Sequence, residues 1–131
     1  MSTPLLQLDW QRLPNAPQPG TALCALQDVS AGTREFAFPA VTAGEPDFRL
    51  IVYRNGDTLH GYVNQCPHHW LPLNRANQPF LRWSETEIMC VHHSAVFDLG
   101  RGGRCSMGPC QGSNLVSVPL QVEDGLLRIA G

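Results

Sequence analysis

Lysine is absent from this 131-residue chain: all nine basic residues are arginine, against eleven carboxylates, for a net charge of −2. Genomic base composition is the simplest source of that bias. The missing basic excess says more, because a nucleic-acid binder normally carries a positive patch or stripe; no nucleic-acid partner is expected. Also missing is any apolar run near the roughly 20 residues of a membrane span, so no membrane-crossing segment is expected. Met1 to Trp10 has neither a basic start nor a long apolar core. It does not read as an export signal, and the expected compartment is the cytoplasm. No window of a dozen residues holds a helical stripe. No Ser/His/Asp arrangement can be read either, and the chain is expected to have no catalytic activity of its own.

What remains is a composition typical of one globular domain, 43% hydrophobic and 15% charged, punctuated by eleven prolines and twelve glycines without a period. Residues 1–20 carry Pro4, Pro14, Pro17 and Pro19 and predict a surface arm; 21–131 form the domain. Within it, Thr21–Val29 and Thr33–Phe38 read as short strands. Phe48–Arg54 is β-rich and runs through Asn55-Gly56, a strong hairpin signal, into a return strand at Leu59–Asn64. Val116, Val118, Leu120 and Val122 alternate with polar residues or Pro119, predicting one half-buried strand at an edge. Asp124-Gly125 then turns the chain into Leu126–Ile129. The fold class is all-β.

The five cysteines are an odd number in a chain with no export signal, which favours metal or redox chemistry over a disulfide framework. Four of them, with four of the five histidines, fall in the loop-rich stretch of about 65–112. Cys66-Pro67-His68-His69 and Cys90-Val91-His92-His93 each put a thiolate within three residues of an imidazole. Together they offer two sulfur and two nitrogen ligands. Zinc accepts that set. So does a [2Fe–2S] centre with two cysteines on one iron and two histidines on the other. Spacing leaves His69 and His92 open as ligands. Cys24 reads as a core residue and His60 as an ordinary strand histidine.

The pattern Cys-x-His, spacer, Cys-x-x-His resembles the Rieske motif. Phe97-Asp98, the glycines around 100–103, Cys105, Gly108-Pro109 and Leu115 are similar to the tail of soluble Rieske ferredoxins, and the likeness covers about residues 47–129. It implies an antiparallel β-sandwich or barrel-like domain with a loop-rich cluster-binding subdomain at about 64–112. It also implies one [2Fe–2S] cluster per chain, held by Cys66, His68, Cys90 and His93, with a Gly-Pro loop covering it. The implied function is one-electron transfer from a reductase to an oxygenase or another redox enzyme. Alternatives are a Rieske subunit or redox-sensing module of a larger complex, and a zinc-binding adaptor.

Several positions depart from the family pattern. The spacer from His68 to Cys90 holds 21 residues, longer than usual, which places an insertion around Arg75–Glu85. Trp70 and Ser94 stand where glycines are common. Leu71 and His92 occupy the positions of the disulfide found in the respiratory branch, so that bridge is excluded. Cys105 and Cys110 are expected as thiols rather than as a pair. Trp70, Leu71, Pro72, Leu73 and Pro109 are expected to form an apolar rim for docking, with Trp70 alternatively a lid. Ala95 and Phe97 fill positions where high-potential members have hydroxyl donors, which implies a potential in the lower part of the roughly −150 to +300 mV range.

Overall fold

The computed structural model describes residues 10–67, 71–75, 78–92 and 94–130. In chain order these form β1 (Ala22–Ala25), β2 (Gly32–Phe38), β3 (Phe48–Asn55), β4 (Thr58–Val63), β5 (Leu81–Arg82) and β6 (Glu87–Met89). There follow β7 (Val96–Asp98), β8 (Arg104–Met107), β9 (Ser117–Val118), β10 (Leu120–Glu123) and β11 (Leu126–Ile129). Short 3₁₀ turns occupy Trp10–Arg12 and Leu26–Asp28. All strand pairings are antiparallel, in three sheets ordered β1-β11-β10, β2-β3-β4-β9 and β5-β6-β7-β8. No helix among the described residues is long and apolar enough to cross a membrane.

β3 is the structural centre because its side chains alternate between two cores. Phe48, Leu50 and Val52 point one way, joining Val63, Val118, Leu127, Ile129 and Trp10. Ile51 and Tyr53 point the other way, joining Tyr62, Ile88, Phe97, Leu99 and four cysteines, Cys66, Cys90, Cys105 and Cys110. The four-stranded sheet of β2, β3, β4 and β9 is therefore the middle layer, with one smaller sheet on each side. Each fully buried aliphatic or aromatic side chain contributes about 1.5–3 kcal/mol. Trp10 fixes residues 10–20 against this base, its ring edge-on to Phe48 at 6.4 Å.

Both hairpin signals hold. Asn55 pairs with Thr58, so Gly56 at φ 61° takes the first loop position, which suits glycine. Asp124 and Gly125 both have positive φ, 53° and 74°, as a tight type I′ turn requires.

Two expected strands differ. Thr21–Val29 is extended only over β1, because Ala25 already pairs with Leu126 and no β11 residue lies beyond it. The chain curls instead into the 3₁₀ turn at Leu26, whose carbonyl, like that of Val29, accepts from the Arg54 guanidinium. The run Val116–Val122 is not one strand. Pro119 has no N–H for a ladder, and the chain changes sheet there: β9 pairs with β4 and β10 with β11. Within 65–112, expected as loop, the structure forms a complete small sheet. The expected insertion at 75–85 contributes its edge strand, β5.

Candidate metal centre

Three loops converge at one end of the small sheet. The first leaves β4 through Asn64, Gln65 and Cys66, and closes with a 2.7 Å hydrogen bond from the Cys66 N–H to the Leu71 carbonyl. The second joins β6 to β7. There the Cys90 N–H donates to the Ala95 carbonyl at 2.7 Å, and the Ser94 N–H returns to the Cys90 carbonyl at 3.0 Å. The Val91 N–H donates to the Leu73 carbonyl at 3.0 Å, tying the second loop to the first. Ser94 has φ 58°, so the backbone keeps the left-handed conformation of a glycine although serine stands there.

The third loop, after β8, packs on the other two. Gly108, at φ 96°, approaches so closely that a Cβ would lie 2.8 Å from the Cα of Ala95 and 3.2 Å from the Ser94 carbonyl oxygen. Two residues on, the Cys110 Sγ lies 3.6 Å from the Cys66 Sγ. Cys66 and Cys90 are both fully buried. Cysteine sulfurs, once deprotonated, are strong ligands for iron–sulfur clusters and for zinc. None of the five cysteines is in a disulfide, Cys105 and Cys110 included.

A polar network anchors the first loop to the middle sheet. Glu35 of β2 and Arg49 of β3 form a two-point ion pair at 2.6 and 2.8 Å. The Asn64 amide donates to Glu35 at 2.6 Å and to Asn74 at 2.8 Å, while its oxygen accepts the Leu73 N–H at 2.8 Å. Burial alone raises the Glu35 carboxyl; hydrogen bonds from Arg49, Asn64 and Asn74, with the guanidinium charge, outweigh it and hold the group below its ordinary value. Tyr62 ties the middle sheet to the β7–β8 turn of the small sheet, donating its hydroxyl to the Leu99 carbonyl at 2.6 Å. Burial first, then the charge of Asp98 and the neighbouring Tyr53, push that phenol up to about 12, so it remains a donor.

Of the four expected ligands, Cys66 and Cys90 are brought into one core; His68 and His93 lie outside the described residues, as do His69 and Trp70. Among the described residues no group of three or more His, Cys, Asp or Glu is arranged to hold a metal ion. His92 is exposed. His60 stacks between Tyr53 and Tyr62, and Cys24 packs beside the base core. The expected rim changes in one member. Leu71 and Pro109 are exposed and Pro72 is half-buried, but Leu73 has no exposure, because both its backbone bonds pull it inward. Three features escaped the sequence reading: the Cys110 contact, the Glu35–Asn64–Asn74 network, and exposed Leu81 and Trp83 at the small sheet's edge. An acid and an arginine inside the apolar strands β2 and β3 were the available signal for the network.

Comparison with known proteins decides the family: the model of the Rieske [2Fe-2S] domain matches residues 21–122. The chain belongs to the Rieske [2Fe–2S] domain family. Its fold is similar to that of the ferredoxin of carbazole 1,9a-dioxygenase from Nocardioides aromaticivorans IC177, with a TM-score of 0.62 at 22% identity, covering 86% of this chain and 98% of that one. A Sphingomonas yanoikuyae B1 ferredoxin is 26% identical, with a TM-score of 0.58 over 86% of this chain and 98% of that one. A chain in a complex of reduced oxygenase and oxidised ferredoxin of carbazole 1,9a-dioxygenase is 24% identical, with a TM-score of 0.62 over 84% of this chain and all of that one. No curated protein sequence matches the chain. The Rieske cofactor is a [2Fe–2S] cluster. The residues present fit it: two buried thiols on linked loops, in a core whose other side chains are mostly apolar.

Proposed function

We propose that this chain is a one-electron carrier that holds one [2Fe–2S] cluster through Cys66, His68, Cys90 and His93 and passes electrons from a reductase to an oxygenase. The observation that carries the reading is the convergence of Cys66 and Cys90, both fully buried, on loops locked together by the Val91–Leu73 hydrogen bond and closed by the Gly108 loop. The match to Rieske ferredoxins over nearly their full length supports a carrier, and the neighbour solved with its oxygenase supports that type of partner. The cluster-binding part corresponds to about 64–112, within a domain of 21–131, with 1–20 as an arm and the cytoplasm as the compartment.

A bound Rieske cluster supplies reversible one-electron chemistry. The chain supplies the setting. Leu73, Ala95, Phe97 and Cys110 exclude water from the two thiols, being buried in the same core. Asn64 and Asn74 hold the first loop at fixed height on the middle sheet. Exposed Leu71 and Pro109, on the first and third loops, offer a small apolar surface beside them, of the kind that suits a transient interface.

The purified protein is expected to contain two irons and two sulfides per chain, to absorb visible light, and to give a rhombic EPR signal once reduced. Zinc in place of iron, with no visible absorption, would turn the reading to an adaptor. Purification only as part of a larger enzyme would turn it from a shuttle to a subunit.

A further inference from the structure

We propose that Cys110 is a positioning residue of the redox site: its thiol donates a hydrogen bond to the Cys66 sulfur and so raises the midpoint potential. The inference rests on reading Cys66 as a cluster ligand. The two sulfurs lie 3.6 Å apart, within sulfur hydrogen-bond range, and contact geometry alone leaves either one as the donor. Chemistry fixes the direction. A cysteine bound to iron is a thiolate and has no proton to give, so the proton on that contact belongs to Cys110.

The surroundings favour the same direction. Cys110 is 4% exposed, so water does not compete effectively for its proton. The neighbouring thiol of Cys105 donates to the Met107 carbonyl at 3.2 Å. Burial pushes the Cys105 thiol up, outweighing the hydrogen bonds that its sulfur receives from the backbones of Met107, Cys110 and Val96 and from the Cys110 side chain, so Cys105 stays neutral and is the competing acceptor for the Cys110 proton. A neutral sulfur is a poorer acceptor than a thiolate, and the Cys110 proton turns to Cys66.

The contact is also mechanically fixed. Gly108 locks the third loop against Ala95, and the Ser113 N–H donates to the Cys110 carbonyl at 2.8 Å. The backbone that carries the donor is thus held by contacts that involve neither ligand sulfur. A hydrogen bond to a ligand sulfur favours the reduced site, where the sulfur bears more negative charge. The side chains of Ala95 on the second loop and Phe97 on β7 cannot donate, so a thiol on the third loop compensates in part.

The test is a dye-mediated redox titration followed by EPR on the iron-loaded wild type, Cys110→Ala and Cys110→Ser. Removing the donor is expected to lower the one-electron reduction equilibrium three- to tenfold, about 30–60 mV. Cys110→Ser keeps a proton donor and is expected to lie above the alanine variant. A normal signal with an unchanged potential in Cys110→Ala overturns the hydrogen bond and leaves the cluster reading intact. A wild type that binds no iron overturns both. If the alanine variant does not assemble, reduced-minus-oxidised infrared spectra of the wild type decide. An S–H band that moves to lower frequency on reduction, lost in Cys110→Ser and kept in Cys24→Ser, supports the inference. An S–H region unchanged by reduction overturns it.

Discussion

The base sheets and the small sheet of this molecule are held by different means. In the base, β3 lies between two neighbours, its pairing spans eight residues, and alternating apolar side chains fill the space towards β11. In the small sheet no strand exceeds four residues, and the loops above it are positioned by single contacts. These are the Asn64 amide, the Val91–Leu73 bond and the close approach of Gly108. A core filled by many similar contacts loses stability by degrees when one is removed. A region fixed by few polar contacts loses its geometry at one place, while the rest stands.

The sharpest break lies at the loops. Cys66→Ser, His68→Ala, Cys90→Ser and His93→Ala are each expected to abolish visible absorption while far-ultraviolet circular dichroism keeps the β signature of the base. His69→Ala and His92→Ala should retain the absorption. Loss in the His92 variant with retention in the His93 variant would reassign the ligand.

Next in size is damage to the base. Phe48 is 2% exposed and meets Phe38 edge-on at 6.0 Å as well as Trp10. Phe48→Ala should cost about 3–5 kcal/mol, read from the urea midpoint. Because β3 serves both cores, loss of absorption and loss of strand signal should fall in one transition. Two separate transitions would mean that the regions unfold independently.

Asn64→Ala should do the reverse. It leaves the Leu73 N–H without its partner, at about 1–3 kcal/mol, while Glu35 keeps its Arg49 ion pair. Amide exchange should accelerate at residues 71–75 and remain slow in β3 and β11. Uniform acceleration would remove the distinction between the two regions.

Acid gives a gentler version of that break. The folded Glu35 carboxyl lies below its ordinary value of 4.5, so its stabilisation is complete above that pH and disappears as pH falls through the lower folded value. Protection of the Leu73 amide is expected to fall in that window, and Glu35→Gln to flatten the dependence. The smallest effect is at Ser94, whose φ of 58° strains a residue with a side chain. Ser94→Gly should gain about 1 kcal/mol or less in a thermal melt.

The same division governs what the sequence disclosed. Phe48–Asn55, the Gly56 and Asp124-Gly125 turns, and Leu126–Ile129 were legible because each rests on local alternation or turn chemistry. The two cysteine–histidine segments stood out as candidate ligands because each is a local pattern, and the structure brings Cys66 and Cys90 of those segments into one core. The small sheet's strands of two to four residues are too short to show a period and have no Asn-Gly or Asp-Gly turn beside them. The Cys66–Cys110 contact joins residues 44 apart, and the Glu35–Asn74 bond joins residues 39 apart, with nothing local to announce them. Leu73 sits among apolar neighbours that read as a rim, yet a backbone bond to Asn64, nine residues away, decides that it faces inward.

The double service of β3 also constrains how this chain can diverge. Inserting or deleting one residue in Phe48–Tyr53 would reverse the side-chain order beyond it. Residues packed towards β11 would then turn to the cysteine core, and the reverse. That segment tolerates exchange of one apolar residue for another but no change of length. Residues 75–85 carry the edge strand β5 and, at Phe80, one side chain packed against the cysteine core, so extra residues there meet far fewer contacts than in β3. Descendants of this sequence should therefore vary in length between Arg75 and Glu85 while keeping β3 at constant length, and a comparison of related chains can be aligned on that strand first.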